Sequence, residues 1–345
     1  MSLTQIRASI HLQQRIQHEQ LTADINNIPN ILFSQVNLHP DIHLWIRSLT
    51  YLSEAEKNNI HDRICKSYAI KKINPNFSGH IKLDLSNLSL LNIPPIEILR
   101  LLHNQINFQN LNLSENNITS IESNAFKGLD DLEDLDIMSN NIANIKRNAF
   151  NDMPNLAKLD LSDNKIFTID AEMFGTSNNL NYINFSFNLI RFINSEIFAN
   201  FHNLDSIELT NNKITYLRDD VFGNLSNLTY LNLNFNNIST LNDNVFRRLV
   251  NLADLNLIGN NIVNISHNIF NNLANLSTID ITDNKIRHLA PTIFNGLTNL
   301  SEIGLSGNRL DKIVANTSSN LTRLADIKPL LYKYFDINPM TVDIY

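Results

Sequence analysis

Residues 108–132 read Phe108-x-x-Leu111-x-Leu113-x-x-Asn116-x-Ile118-x-x-Ile121-x-x-x-x-Phe126-x-x-Leu129-x-x-Leu132, and the wording returns every 24 residues. Asparagine recurs at Asn116, Asn140, Asn164, Asn188, Asn212, Asn236, Asn260, Asn284 and Asn308. Phenylalanine keeps the same clock at Phe126, Phe150, Phe174, Phe198, Phe222, Phe246, Phe270 and Phe294. Two residue types holding one period without a slip define a repeat array, in which each coil buries its apolar side chains only against its neighbours.

The spacing inside one unit predicts its local structure. Alternation at Leu111 and Leu113 suits a short strand of period two, and the spacing of three at Phe126, Leu129 and Leu132 suits a turn-rich or helical return. The asparagine stands where the chain leaves the strand, and its amide can donate to and accept from backbone groups of its own and adjacent coils. Each such bond contributes ~0.5–1.5 kcal/mol net, and each buried aliphatic side chain ~1.5–3 kcal/mol. Both ladders are scaffold rather than functional site.

This wording resembles the leucine-rich-repeat family in its 24-residue form, over roughly two thirds of the chain. The resemblance implies an α/β solenoid, a horseshoe with a parallel concave sheet. The organisation expected is a helical region over 1–79, one irregular plus nine regular coils over 80–313, and a C-terminal cap over 314–345. The irregular coil places Leu83 and Leu85 where the next has Leu111 and Leu113, a longer step of 28 residues. Helices are expected over 3–20, over 41–52, after a capping box of Ser53 and Glu56, and over 321–335.

Because strand side chains alternate in direction, the residues between the leucines are the ones shown to a partner, and the constant period sets them side by side in columns. The central column runs Asn112, Asp136, Asp160, Asn184, Glu208, Asn232, Asn256, Asp280, Gly304. The column two residues earlier runs Asn110, Asp134, Lys158, Tyr182, Ser206, Tyr230, Asp254, Thr278, Glu302. Tyr182 with Phe187 and Tyr230 with Phe235 are one aromatic pair used twice, separated by a coil that carries Ser206 and Asn211. The pairs are expected roughly 10 Å apart across a notch floored by Glu208 and Thr210. Solvent-facing aromatics on a rigid surface are the usual anchors of protein interfaces. Acid flanks them on both sides, with Asp134, Asp136 and Asp160 on one and Asp254 and Asp280 on the other, so the expected partner is a protein with a basic patch.

The net charge of −7 argues against nucleic acid, since phosphate contacts need a basic face. Cys65 is the single cysteine, so no internal disulfide forms and a reducing, cytoplasmic compartment is expected, in the protein's own cell or in a host cell after delivery as a bacterial effector. Residues 1–20 contain no long apolar run, so neither a signal peptide nor a membrane span is expected there. Nothing in the chain reads as a nucleophile elbow, phosphate loop or cofactor motif, and His39 and His43 are split by Pro40, so neither catalysis nor a metal is expected.

One stretch carries a second resemblance. Leu38-His39-Pro40-Asp41-Ile42, then Ile46, Leu49 and Leu52, then Ile64-Cys65-Lys66-Ser67-Tyr68 resembles an F-box, the helical module that tethers substrate receptors to a ubiquitin ligase. The alternative is a plain helical cap over the first coil. The functional expectation is therefore a non-enzymatic scaffold that grips a protein on its concave face. An F-box-like substrate adaptor is the competing class.

Overall fold

Each unit contributes one three-residue strand whose middle side chain is buried, except in the last, where Ile303 is partly buried. The computed structural model describes residues 37–73, 79–175, 179–194, 196–223, 225–290 and 292–310. The helices expected over 3–20 and 321–335, and the whole C-terminal cap expected over 314–345, lie outside the described residues.

Ten strands form one parallel sheet in chain order: β1 (Lys82–Asp84), β2 (Asn110–Asn112), β3 (Asp134–Asp136), β4 (Lys158–Asp160), β5 (Tyr182–Asn184), β6 (Ser206–Glu208), β7 (Tyr230–Asn232), β8 (Asp254–Asn256), β9 (Thr278–Asp280) and β10 (Glu302–Gly304). Consecutive strands pair in register, so the expected columns are real: Tyr182 lies beside Ser206 and Ser206 beside Tyr230, with Asn184, Glu208 and Asn232 aligned next to them. Leu83, Leu111, Leu135 and their successors through Ile279 face the interior with no more than 1 % of their surface exposed. The return segments are mainly turns, with two-residue strands pairing Ser120–Ile121 to Asn144–Ile145 and Thr240–Leu241 to Asn264–Ile265.

The asparagine ladder works as its chemistry requires. Asn140 accepts from the Ile118 N–H of the preceding coil at 3.0 Å and donates to the carbonyls of Leu113, Ile137 and Met138. The same set recurs at Asn164, Asn188, Asn212 and Asn236. The phenylalanines stack with ring centroids 5.9 Å apart for Phe126 and Phe150 and 5.7 Å for Phe150 and Phe174. The spine then changes partner. Phe201, standing where other coils have Met153 or Leu225, brings its larger ring edge-on to Phe174 at 4.8 Å, and stacking resumes from Phe198 to Phe222.

Among the described residues three helices lie towards the N-terminal end: α1 (Pro40–Ser48), α2 (Glu54–Ile73) and α3 (Ile96–Ile106). The apolar face of the F-box-like stretch, Ile42, Trp45, Ile46, Ile60 and Ile64, belongs to the same continuous core as Leu83 and Leu111. Polar bonds hold α2 against the first strand: Ser67 Oγ donates to the Lys82 carbonyl at 2.9 Å and Arg63 to the Ser86 carbonyl at 2.7 Å. These helices therefore cover the open end of the first coil. In α3 the inward face is Ile98, Leu99, Leu102 and Ile106, and Ile96, the first residue of the helix, is only partly buried.

The expected capping box is present. The Ser53 N–H donates to the Glu56 carboxylate at 2.8 Å and the Glu56 N–H to Ser53 Oγ at 3.3 Å. Ser53→Ala is expected to lower stability by about 1 kcal/mol, read as a lower urea midpoint at unchanged slope. An unchanged midpoint would mean that the buried face alone holds α2 in place.

Candidate functional site

Immediately before each ladder asparagine the chain needs one residue in the left-handed region, with φ between 51° and 67° at Glu115, Ser139, Asp163, Phe187, Asn211, Phe235, Gly259, Asp283 and Gly307. That conformation swings the chain off the strand while the residue's N–H still reaches the next coil, as in Phe187 N–H to the Thr210 carbonyl at 2.7 Å and Phe235 N–H to the Ile258 carbonyl at 2.7 Å. Glycine, asparagine and aspartate tolerate it at low cost; for a bulky side chain it costs roughly 1–2 kcal/mol. Phe187 and Phe235 are the two aromatic exceptions, and each leaves 53 % of its surface in solvent. They stand three residues past the ends of β5 and β7, where the chain leaves the sheet.

Phe235 has a prepared seat. A Cβ on Gly259, the equivalent residue one coil on, would come within 2.5 Å of the Phe235 ring. The bare glycine is what lets the ring lie over the next coil.

Tyr182 and Tyr230 are half-buried on the outer strands of the same three-coil unit, with the small Ser206 between them. Asn232 Nδ2 donates to Tyr230 Oη at 3.2 Å. Burial, with Asp160 and Glu208 alongside, pushes the Tyr182 hydroxyl well above its ordinary pKa, so it remains a neutral donor. The Tyr230 hydroxyl is raised by burial and by the neighbouring Glu208 carboxylate.

The central column divides into residues with a local task and residues without one. Asn112, Asp136, Asp160, Asn184, Asn232 and Asp280 each accept, on Oδ1, the N–H two residues ahead, a side-chain-closed turn that shapes the strand exit. Asp160 spends its second oxygen as well, on the Asn184 amide at 3.1 Å, and Asp134 takes the Asn110 amide at 3.2 Å. Asp136, Asp160 and Asp280, named above among the concave-face acids, thus have carboxylates partly committed to the scaffold. Asp254 remains half-buried beside Tyr230 in the outer column.

Glu208 departs from this pattern. The N–H that it would hold, that of Thr210, donates instead to Ser186 Oγ in the preceding coil at 3.2 Å. Burial raises the Glu208 carboxyl above its ordinary range, opposed by hydrogen bonds from Asn232 and Tyr230. The Thr210 hydroxyl is buried without a hydrogen-bond partner, so of the two floor residues it is Glu208 that offers a polar group to the notch.

Elsewhere the chemistry is quiet. Cys65 is fully buried and burial pushes its thiol up to about 11, so it is protonated and unreactive at neutral pH. His39 caps α1 through Nδ1, and His43 stacks on His61 rather than pairing with His39. Among the described residues no group of histidine, cysteine, aspartate and glutamate is arranged to hold a metal ion, and no helix is long and apolar enough to cross a membrane.

Residues 100–229 match the model of the BspA type leucine rich repeat region in six copies, and residues 202–262 and 251–310 match a second leucine rich repeat model. The chain belongs to the leucine-rich-repeat family. Among solved structures, the Drosophila Toll–Spatzle complex aligns with TM-score 0.62 at 20 % identity, covering 70 % of this chain and 36 % of that one. A glycosylated form gives TM-score 0.63 at 20 % identity, covering 70 % and 34 %. The TLR13–ssRNA13 complex gives 0.50 at 23 % identity, covering 66 % and 40 %. At these identities the likeness is one of fold, and this chain spans well under half the length of each. No curated protein sequence matches the chain.

Within the leucine-rich-repeat framework two further features stand out that the motif reading passed over. A second asparagine ladder runs outside the first: Asn155, Asn179, Asn227, Asn251 and Asn275 each donate to a carbonyl 25 residues back. On the flank just after the main ladder, Phe167, Leu189, Phe192 and Tyr216 are exposed on three consecutive coils, next in sequence to the aromatic unit. A 24-residue alignment shows the asparagines as a column, and on the flank it aligns Phe192 with Tyr216.

Proposed function

We propose that this leucine-rich-repeat chain is a non-enzymatic binding protein that grips another protein on its concave face, centred on Tyr182, Phe187, Tyr230 and Phe235. The observation that carries this reading is the pair of exposed phenylalanines held in a left-handed conformation at equivalent positions of two coils. Backbone strain of this kind persists where the surroundings impose it, and it clusters at binding sites. The left-handed geometry does not itself require phenylalanine, because the intervening coil meets it with Asn211.

The Toll structure is a complex with Spatzle, which supports a protein as the class of partner. The TLR13 structure holds single-stranded RNA. For this chain the acids of the same columns, Asp134, Asp136, Asp160, Glu208, Asp254 and Asp280, argue against a phosphate backbone and favour a basic protein surface. On this reading the protein acts in a reducing compartment, since Cys65 is alone.

Unbiased capture from lysate with the wild type and the Tyr182→Ala/Tyr230→Ala double variant tests the site. The principal partner is expected to lose several kcal/mol, roughly 2 or more for each anchor. A partner retained at full affinity by the double variant moves the site off the concave centre.

A further inference from the structure

The three coils that carry β5, β6 and β7 are arranged symmetrically about the middle one. The outer coils present Tyr182, Asn184 and Phe187, and Tyr230, Asn232 and Phe235; the middle coil presents Ser206, Glu208 and Asn211. Bulk therefore stands on both sides of a slot one coil wide, and the strands bounding it lie ~4.8 Å to either side of β6. The stem of a lysine or the flat guanidinium of an arginine is slim enough to enter between side-chain rows set two strand spacings apart.

At the floor stands the one acid between the tyrosines, released from the turn-closing task that its column neighbours perform. Among the described residues no lysine or arginine pairs with Glu208; the lysines and arginines seen in ion pairs lie elsewhere, on Glu54, Asp84, Asp152, Glu172 and Asp220. Asp160 and Asp254 flank the slot in the neighbouring strands β4 and β8, and Lys158 is the one base on the nearby strand positions. The slot is thus negative, walled by two aromatic side chains, and edged by two exposed phenylalanines.

We propose that the slot receives a single basic side chain of the protein partner, a lysine or arginine inserted over Ser206 between Tyr182 and Tyr230 and paired with the Glu208 carboxylate. Apolar residues on either side of that base rest on Phe187 and Phe235. The occupant is accordingly an extended segment with one base flanked by apolar side chains. This deepens the concave-face reading and rests on it. Desolvation of Glu208 in the free protein adds to the case, because a cation restores what burial removed. The aromatic walls contribute to holding a cation through their ring faces.

The test uses the whole chain and a random heptapeptide library displayed on phage. Wild type is expected to enrich heptapeptides with one lysine or arginine flanked by apolar residues. Glu208→Gln, which keeps the shape and removes the charge, is expected to lose that basic preference. A selected peptide and its norleucine counterpart are then titrated calorimetrically against both proteins: wild type should favour the basic peptide by about tenfold or more, and Glu208→Gln should bind the two alike. Thermal melts establish that each variant is folded. Enrichment without a basic preference, or equal affinity of wild type for the two peptides, overturns the proposal. The Phe187→Asn/Phe235→Asn variant separates the two levels of the reading. If it loses both peptides while the basic preference is absent, the concave site stands and only the buried base is wrong; if it keeps both peptides, the concave site itself is wrong.

Discussion

Asn212→Ala is expected to lower the stability of the chain by about 3–6 kcal/mol, because it orphans several buried backbone groups at once. The Asn212 side chain is 1 % exposed, and its Oδ1 accepts from the Ile190 N–H at 3.0 Å. Its Nδ2 donates to the carbonyls of Phe185 at 2.9 Å, Leu209 at 3.2 Å and Thr210 at 3.4 Å. Alanine replaces none of these, and the site is sealed from water by Ile190, Leu209 and Ile214, all fully buried. The effect should also be visible in cooperativity. Coils touch only their neighbours, so a weak interface in mid-array lets the two halves unfold separately. Equilibrium urea unfolding should accordingly move to lower denaturant and broaden. Asn308→Ala gives the control: that side chain is only part-buried at the end of the described array, so its loss should cost less and leave the transition sharp. Equal losses at the two positions would mean that the ladder stabilises each coil locally rather than joining coils.

The same ladder explains what could be read from the sequence. A constant 24-residue step leaves no freedom in register, so Tyr182, Ser206 and Tyr230 could be set side by side before any coordinates, and they pair that way. What the letters do not give is which exposed polar residue already has a partner. Asp160 looks like a free charge until its Oδ1 is found on the Ser162 N–H and its Oδ2 on the Asn184 amide. The clue was available in the column itself: aspartate alternates there with asparagine, followed two positions later by Ser162, Ser186 or Thr282, which is the pattern of a turn-closing side chain rather than of a charged patch. Glu208, one methylene longer, breaks that pattern, and only the rerouted Thr210 N–H reveals it. The left-handed residue before each ladder asparagine was legible in the same way. Its column holds Ser139, Asp163, Asn211, Gly259 and Asp283, residues that tolerate φ above zero, and the two phenylalanines are conspicuous only once the conformation is known. The edge-on insertion of Phe201 was not legible, because it depends on how much room one coil leaves for the next.

The second large effect couples stability and binding with opposite signs. Phe187→Asn and Phe235→Asn are expected to raise the melting temperature, since asparagine occupies the equivalent left-handed position at 211 and the strain relieved is roughly 1 kcal/mol per site. The gain should be larger at Phe187. Phe235 gives back part of its strain by lying over Gly259, where a Cβ would stand 2.5 Å from the ring, and asparagine forfeits that contact. Affinity for the partner should fall at the same time by about 2 kcal/mol or more per anchor, because each ring presents half its surface to solvent in the free protein and that surface is what an interface buries. The reverse substitution sharpens the test. Asn211→Phe puts a third ring in the middle coil, where it costs strain and crowds the slot above Glu208, so it should lower both stability and binding. Differential scanning calorimetry with affinity measurements on the three variants reads both quantities. Variants that bind less and melt lower would remove the argument from strain to function, because the phenylalanines would then be ordinary contributors to folding. Variants that melt higher and bind as before would leave the strain without a purpose at this site. Only a rise in stability with a fall in affinity matches two aromatic side chains kept, against their conformational preference, for a partner.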